Sequence, residues 1–179
     1  MQLRSLPLIS RVLIVVVNFA TFSHLAFMKK LLLAACLLGG NFAAFAQASA
    51  TETAAVKQTI TTFFDGLRRG DSTMARSTLA PGAVFQVIAN REGKTQVQTE
   101  KVAGFLKSVG TPHKEVYDER ITFEQVLIDA NLASVWTPYQ FYVGTTFSHC
   151  GYNSFQLVKL AEGWKIVHII DTRRKEKCK

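Results

Sequence analysis

The sequence has few of the residue patterns that mark metal or nucleic-acid sites. Its four histidines show no close pairing along the chain: His24, His113, His149 and His168. Metal sites usually combine such ligands at short, regular spacings. The excess of Lys and Arg gives a net charge of +8, but basic and aromatic residues are not interleaved as they are in nucleic-acid-binding surfaces. We therefore expect no metal, no other cofactor and no nucleic-acid partner.

The sequence also lacks a long uninterrupted apolar run. The stretch from Val12 to Ala20 is shorter than the roughly 20 residues with which a helix crosses a bilayer. An anchor over residues 12 to 46 remains an alternative, but it would bury the adjacent charges of Lys29 and Lys30, which is costly. We therefore expect no stable membrane insertion of the mature chain.

A signal-peptide pattern begins at Met28. Its parts are a basic start, an apolar run and small residues, in that order: Lys29 and Lys30, Leu31 to Leu38, and Ala44, Ala46 and Ala48. This order is typical of secretory signal peptides. It predicts a leader over residues 1–48, made of an upstream extension (1–27) and a signal peptide (28–48). The product is expected to be exported, to the periplasm or outside the cell.

A second processing site within the leader is an alternative. The run Leu33-Ala34-Ala35-Cys36 resembles the box at which lipoproteins are cleaved and lipidated on cysteine. Cleavage there would leave only Leu31 to Ala35 as the apolar segment, although the apolar stretch continues beyond Cys36. Ordinary signal-peptide cleavage is therefore the favoured interpretation.

Residues 49–179 are predicted to form a single domain. About 130 residues suffice for one core that buries roughly two-thirds of the unfolded surface, and the sequence shows no internal repeat. Removal of the leader lowers the net charge to +4, because all charged residues of the leader are basic. Much of the remaining excess lies in a tail that we interpret as solvated: Arg173, Arg174, Lys175, Lys177 and Lys179.

Two cysteines, Cys150 and Cys178, remain after the leader. An exported chain meets an oxidising environment, in which disulfides persist. If Leu160 pairs with Trp164, the last hairpin places Cys150 opposite Arg174, and a tail that curls back over four residues brings Cys178 within reach. We therefore predict a disulfide between Cys150 and Cys178. The alternative is one half-buried thiol and one loose terminal thiol.

Helical periodicity dominates the first half of the domain. The segment from Thr51 to Leu67 places its apolar residues on one side of a helix: Val56, Ile60, Phe63, Phe64 and Leu67. Asp71 or Ser72 is expected to cap a short second helix from Thr73 to Thr78. A third helical stretch runs from Thr99 to Gly110.

Strand patterns fill the rest of the domain. A short hairpin is predicted over Val84 to Ile88 and Thr95 to Gln98, and a further strand over Glu115 to Asp129. Three strands then follow with short turns between them: Ala133 to Val143, Thr146 to Leu160 and Trp164 to Arg173. Helices first and one long antiparallel meander afterwards describe an α+β domain, in which the helices cover one face of a curved sheet. The hollow of such a sheet commonly binds ligands.

This order of elements resembles the nuclear transport factor 2-like cone, a cystatin-like fold. Three segments further resemble exported bacterial proteins labelled putative lumazine-binding: Val135-Trp136-Thr137-Pro138-Tyr139, Phe147-Ser148-His149-Cys150-Gly151 and Asp171-Thr172-Arg173-Arg174. The resemblance covers about residues 52 to 178 and implies N-terminal helices packed on a curved, mainly antiparallel sheet. Members of this superfamily include ketosteroid isomerase, polyketide cyclases and scytalone dehydratase, which use the hollow for acid-base chemistry, and many proteins without a known reaction.

The predicted hairpin registers bring polar side chains onto one face of the sheet. The pairs are Gln140 with His149, Asn153 with Asp171, and Gly151 with Arg173, and Val167 joins them. Trp136 belongs to this face as well, unless Pro138 marks a bulge that flips the strand before it. The other face carries Tyr139, Phe141 and Ile166, and the sequence does not show which face is concave. The candidate ligand-binding residues are Trp136, Tyr139, His149, Asn153, Asp171 and Arg173.

His149 and Asp171 are the candidate catalytic pair, because an imidazole oriented by a carboxylate can move protons near neutral pH. The alternative is that both only satisfy backbone groups at a sheet end. Arg173 is expected either to hold an anionic ligand or to pair with Asp171. The run Asp118-Glu119-Arg120 is interpreted as a solvated charge cluster, since adjacent strand residues point to opposite faces.

These patterns favour a binding protein over an enzyme. The leading expectation is an exported homodimer whose hollow binds a small organic molecule, anionic or aromatic. An enzyme of the ketosteroid isomerase, polyketide cyclase or dehydratase type is the first alternative, with His149 and Asp171 as its acid-base pair. The second alternative is a non-catalytic dimerisation or interaction module.

Overall fold

The structure is a computed structural model that describes residues 49–91 and 93–179. The predicted leader, residues 1–48, lies outside the described residues, and with it lie His24 and Cys36. Residues Ala50 to Lys179 form one compact unit. In the described part of the chain, no helix is long and apolar enough to span a membrane.

The helices match the predicted periodicity. Helix α1 covers residues 49–69, and its buried stripe is the predicted one: Val56, Ile60, Phe63, Phe64 and Leu67. Helix α2 (Ser72–Ser77) begins after Asp71, whose side chain accepts a 2.9 Å hydrogen bond from the backbone N–H of Met74. Such an N-cap satisfies one of the free donors of the first turn. Helix α3 (Val102–Gly110) begins later than the predicted Thr99 and buries two apolar residues, Leu106 and Val109.

Within residues 49–179 as described, seven strands form one sheet. They are β1 (Leu79–Arg91), β2 (Lys94–Glu100), β3 (Tyr117–Ile121), β4 (Gln125–Asp129), β5 (Leu132–Val143), β6 (Thr146–Leu160) and β7 (Gly163–Thr172). Their order across the sheet is β2-β1-β7-β6-β5-β3, and β4 also pairs with β5. The pairing of β1 with β7 is parallel and the other pairings are antiparallel. The predicted α+β class with a mainly antiparallel sheet is confirmed.

The predicted strand from Glu115 to Asp129 is divided into β3 and β4. Both pair with β5, but the register shifts by one residue between them. Pro138 of β5 lies beside the break and has no N–H to donate to the ladder. Its carbonyl accepts a 3.1 Å hydrogen bond from the N–H of Thr122, so the chain stays beside β5 through the break. The irregularity near Pro138 therefore lies between β3 and β4, and the side chains of β5 alternate regularly on both sides of Pro138.

A β-bulge in β6 changes the predicted faces of β5. The register with β5 shifts at Ser148, so that His149 pairs with Phe141 and not with Gln140. Because one extra residue moves all following side chains to the opposite face, the predicted pairing of Gln140 with His149 is wrong. Phe141 and Tyr139 share the face of His149 instead.

A second bulge lies in β7. The turn between β6 and β7 is one residue shorter than predicted, because Leu160 pairs with Gly163 and not with Trp164. Val167 is the extra residue of the bulge, and it restores the predicted register farther along the two strands. Asn153 is therefore opposite Asp171, as predicted. Ile166 pairs with Leu157, and these two residues are fully buried in the core. The predicted faces of Ile166 and Val167 are therefore wrong.

The core lies between the helices and one side of the sheet, here called the inner face. Phenylalanine rings from both layers meet there. The rings of Phe63 in α1 and Phe105 in α3 stack with centroids 5.4 Å apart, and Phe85 of β1 meets Phe105 edge-on at 5.2 Å. Phe64 of α1 meets Phe155 of β6 at 5.9 Å. Such aromatic pairs supply large buried area and fix how α1 and α3 sit on the sheet.

The C-terminal tail returns to the opposite side of the sheet, here called the outer face. The structure contains the predicted disulfide between Cys150 and Cys178, and Cys150 pairs with Arg174 as predicted. Lys179 at the end of the tail pairs with Glu124, and its backbone carbonyl accepts a 2.8 Å hydrogen bond from Gln140 Nε2. The tail is therefore fastened to the outer face at the middle of the sheet.

Candidate functional site

An open cavity lies between helices α1 and α3 and the inner face of the sheet. Its volume is about 290 Å³, close to the lower end of the range of about 300–1,000 Å³ typical of ligand pockets. Much of its wall is aromatic or aliphatic: Phe63, Leu67, Phe85, Phe105, Tyr117 and Phe141. This size and wall suit a small, flat organic molecule.

Polar side chains form one part of the wall. They come from the end of β2, from β3, β6 and β7, and from the residue that follows β7: Glu100, Glu119, His149, Asn153, Asp171 and Arg173. An apolar cavity with a few convergent polar groups is the usual form of a small-molecule site.

Glu119 and Asn153 are directly joined. Asn153 Nδ2 donates a 2.8 Å hydrogen bond to Glu119 Oε1, and this bond passes over β5, which separates β3 from β6 in the sheet. Burial raises the pKa of Glu119 to about 7; the bond from Asn153 opposes this shift and the negative charge of Asp171 adds to it. The Glu119 carboxyl therefore ionises near neutral pH, well above the pH at which an ordinary glutamate ionises.

Asp171 is only 8% exposed, and its carboxylate is partly satisfied by hydrogen bonds. Its Oδ2 lies 3.1 Å from the Tyr139 hydroxyl and accepts a 3.0 Å bond from Arg173 Nε. Its Oδ1 is buried and has no hydrogen-bond partner among the described residues. A buried acceptor without a partner costs free energy, so a donor that reached Oδ1 would be stabilised there.

Tyr139 reaches Asp171 because Gly151 lies opposite it on β6. A Cβ atom at position 151 would lie 1.7 Å from the backbone carbonyl oxygen of Thr172 and 2.8 Å from Tyr139 Cε1. The missing side chain therefore lets the tyrosine ring cross β6 toward β7. The hydroxyl also lies 2.9 Å from the Thr172 carbonyl oxygen, so it donates to one of two acceptors. Burial, together with the charge of Asp171, raises the pKa of Tyr139, so this hydroxyl remains a donor.

His149 lies beside this group but is not bonded to Asp171. Its ring centroid is 5.0 Å from that of Phe141, and its Nδ1 lies 3.0 Å from Ser148 Oγ. Partial burial and the positive charge of Arg173 lower the pKa of His149, so the imidazole is neutral at pH 7. Among the described residues, no hydrogen bond joins His149 to Asp171, whose Oδ2 accepts from Arg173 and lies within hydrogen-bonding distance of the Tyr139 hydroxyl.

Comparison with known families identifies the chain. Residues 51–169 match the sequence profile of the family described as "Putative lumazine-binding". The chain belongs to this family. A search of curated proteins finds no match.

Solved structures similar to this putative lumazine-binding family member show the same fold. An NTF2-like protein of unknown function from Shewanella baltica is 15% identical, with a TM-score of 0.55 over 71% of this chain and 97% of its own. A putative dehydratase of the NTF2-like family from Streptomyces avermitilis is 14% identical, with a TM-score of 0.53 over 70% and 98%. A ketosteroid isomerase-like protein from Erwinia carotovora is 17% identical, with a TM-score of 0.52 over 68% and 95%. These likenesses confirm the nuclear transport factor 2-like cone.

The cavity of this family member brings together most of the residues selected from the sequence. His149, Asn153, Asp171 and Arg173 line it, and Tyr139 joins them through its hydroxyl. Trp136 does not. It is 42% exposed and stacks on Tyr152 of the outer face at 5.1 Å, because the bulge at Ser148 places odd-numbered residues of β5 on the inner face.

Glu100 and Glu119 are acidic cavity residues that sequence reasoning missed. The neighbours of the latter, Asp118 and Arg120, do form a surface charge cluster, in which Asp118 pairs with Arg120 and with Arg68 of α1. Glu119 points the other way, as alternation along a strand requires. The signal was present in the sequence, because Tyr117 and Ile121, two residues to either side, are apolar and share its face. An acidic residue between two apolar positions of one face indicates a polar group directed inward.

Proposed function

We propose that this domain binds a small, flat organic molecule in the cavity between α1, α3 and the inner face. The observation that carries this proposal is the convergence of Glu119, Asn153 and Asp171 in one open, mostly apolar cavity. A domain that only dimerised would gain nothing from a buried acceptor without a partner, such as Asp171 Oδ1. The family description makes lumazine the first probe to test.

The experiment is calorimetric titration of the exported protein with lumazine, with one variant that blocks the cavity. Ser108 is an exposed residue of α3 that lines the cavity, whereas the adjacent Lys107 is exposed and does not line it. Ser108→Trp is expected to abolish binding, and Lys107→Trp is the matched control that retains it. Equal binding by both variants would show that the ligand binds elsewhere, and no binding by the unmodified protein to lumazine or to related heteroaromatic rings would contradict the proposal.

A second candidate function is acid-base catalysis, favoured by the pKa of about 7 for Glu119. A carboxyl group that titrates near the working pH is suited to proton transfer. Glu119 is better placed for this role than His149, which has no bonded carboxylate to orient it. Ligand binding without reaction remains the leading proposal, because it needs only the cavity and its polar groups, whereas proton transfer also needs a substrate held within hydrogen-bond reach of Glu119.

General-base competence is measurable without knowledge of a substrate. In the Kemp elimination of 5-nitrobenzisoxazole, a base removes the C3 proton, the N–O bond breaks, and a coloured cyanophenolate forms. If Glu119 acts as a base, the rate rises with pH through a midpoint near 7 and falls to background in Glu119→Gln. Asp118→Asn, altered one residue away on the other face of β3, is the matched control. A Glu119→Gln rate equal to that of the unmodified protein would rule out this second function.

We further propose that the domain is exported and forms a homodimer. Export is supported by the Cys150–Cys178 disulfide, since such bonds persist in oxidising compartments. Intact-mass analysis of the exported protein is expected to give an N-terminus at residue 47 or 49.

The dimer is supported by exposed apolar side chains on β4 and β5, Leu127, Leu132 and Trp136. Sedimentation velocity is expected to show a dimer that Trp136→Glu dissociates; a monomer at all concentrations would contradict it.

A further inference from the structure

The single arginine among the residues that line the cavity is already paired. Arg173 Nε donates to Asp171 Oδ2 at 3.0 Å, and its Nη2 lies 3.4 Å from Glu100 Oε1. Its guanidinium therefore faces two carboxylates before any ligand arrives. An anionic ligand would have to displace one of them or share the same cation.

The charge balance of the cavity wall is negative. Its charged groups are Arg173 and three carboxyl groups, from Glu100, Glu119 and Asp171, and the lowered pKa of His149 keeps that imidazole neutral at pH 7. The wall therefore carries a net charge of about −1 when Glu119 holds its proton and about −2 when Glu119 is ionised. In a cavity partly screened from water, charges of one sign act strongly on a bound ion.

Two carboxylate oxygens of the cavity wall remain available as acceptors. The hydrogen bond to Glu119 uses its Oε1, which leaves Oε2 available, and Asp171 Oδ1 has no partner among the described residues. The Tyr139 hydroxyl is directed to Asp171 and the Thr172 carbonyl, so this donor is not available to a ligand. A ligand that brings N–H groups would satisfy these acceptors, whereas a carboxylate or phosphate would add to them.

The aromatic wall acts in the same direction. The rings of Phe63, Phe85 and Phe105 form a packed group beside the cavity, and the ring of Phe141 lies on the side of His149. Aromatic faces attract cations and stack on flat rings. They offer no comparable attraction to an anion.

From these contacts we infer that the cavity selects a flat ring that presents N–H donors and is neutral or cationic, such as an amidine or an amino- or lactam-bearing heteroaromatic ring, and that it excludes carboxylates and phosphates. This inference rests on the proposed binding function and names the ligand class for the same cavity. It reverses the sequence-based expectation of an anionic ligand held by Arg173.

Three probes of nearly equal shape test the inference: benzamidine, benzamide and benzoate, which carry a positive, zero and negative charge at pH 7. Affinities are measured by calorimetry on the exported protein, with binding to the cavity confirmed by its loss in Ser108→Trp. The expected order is benzamidine, then benzamide, then benzoate, with at least a tenfold difference between the first and the last. The preference for benzamidine is expected to increase from pH 6 to pH 8, because Glu119 ionises over this range.

The variant Glu119→Gln is expected to reduce the affinity for benzamidine about tenfold at pH 8, and Glu162→Gln, an exposed change in the β6–β7 turn, to leave it unchanged. The pH measurement on the unmodified protein tests the same point if Glu119→Gln does not fold. Tighter binding of benzoate than of benzamidine would overturn the inference while leaving the proposed function intact. Failure of all three probes and of lumazine to bind would contradict both.

Discussion

Asn153 Nδ2 donates a 2.8 Å hydrogen bond to Glu119 Oε1, so that one side chain of β6 reaches across β5 to the acidic residue of β3. Asn153 itself is only 3% exposed. The bond holds the Glu119 carboxyl at the cavity wall near Asp171, whose negative charge helps to raise its pKa. Burial of this carboxyl, opposed by the bond from Asn153, sets the pH at which the cavity gains a second negative charge.

The raised pKa of Glu119 predicts a stability that depends on pH. An unfolded glutamate loses its proton near 4.5, whereas Glu119 in the folded protein keeps it to about 7. Between these values the folded state binds more protons than the unfolded state, so the free energy of unfolding falls as the pH rises. Glu119→Gln should therefore become more stable relative to the unmodified protein from pH 4.5 to pH 8, by on the order of 2 kcal/mol.

Urea unfolding at several pH values measures this difference. Glu162→Gln makes the same chemical change at an exposed turn position and is expected to follow the unmodified protein throughout. If the free energy of unfolding of Glu119→Gln changed with pH in parallel with that of the unmodified protein and of Glu162→Gln, the Glu119 carboxyl would be solvated like that of an ordinary glutamate.

Replacement of Gly151 by alanine is expected to destabilise the fold strongly. The added Cβ would lie 1.7 Å from the Thr172 carbonyl oxygen and 2.8 Å from the Tyr139 ring, so the chain would have to move or Tyr139 would leave Asp171. A loss of about 3 kcal/mol or more is expected from such overpacking. Gly104→Ala on the exposed side of α3, where the new Cβ would lie 3.9 Å from its nearest neighbour, should instead stabilise by about 0.5–1 kcal/mol. Equal effects in thermal unfolding would refute the close approach at Gly151.

Loss of the Tyr139 hydroxyl tests its bond to Asp171. Tyr139→Phe removes the donor and leaves a buried carboxylate oxygen with one partner fewer, which should cost about 1–2 kcal/mol. Tyr142→Phe is the control, because the Tyr142 hydroxyl donates to Gln140 on the less buried outer face. Chemical denaturation should separate the two variants, and a larger loss in Tyr142→Phe would contradict the assigned role of Tyr139.

The disulfide should contribute substantially to stability. It closes a loop across 28 residues, for which the chain-entropy estimate is about 3–4 kcal/mol. Cys178→Ser removes the bond and leaves Cys150 in place, so its free energy of unfolding should fall by about this amount and match that of the reduced unmodified protein. Two reactive thiols in the denatured, unreduced protein would show that the bond does not form.

The sequence predicted the elements better than the faces of the sheet. The α1 stripe and the bounds of β6 follow from periodicity alone, and both agree with the structure. Single-residue bulges at Ser148 and Val167 leave no comparable mark in the sequence. Each bulge reverses the side chains on one side of it, which is why Trp136 lies on the outer face.

The residues of the candidate site were predictable only in part, because the same strand faces decide which side chains reach the cavity. The predicted pairing of Asn153 with Asp171 is correct because the bulge at Val167 cancels a one-residue error in the predicted turn between β6 and β7. The charge pattern groups Glu119 with its charged neighbours, although the alternation of Tyr117, Glu119 and Ile121 indicates the inner face. Its raised pKa depends on burial by parts of the chain distant in sequence, and local patterns do not report such burial.

The most direct test of this account is a pH titration of the Asn153 side-chain amide by ¹H–¹⁵N NMR. Because Asn153 donates to Glu119, its amide resonances should move with a midpoint near pH 7, and this transition should disappear in Glu119→Gln and persist in Glu162→Gln. A midpoint near the ordinary glutamate value, or the same transition in Glu119→Gln, would contradict the buried carboxyl on which the proposed ligand preference depends.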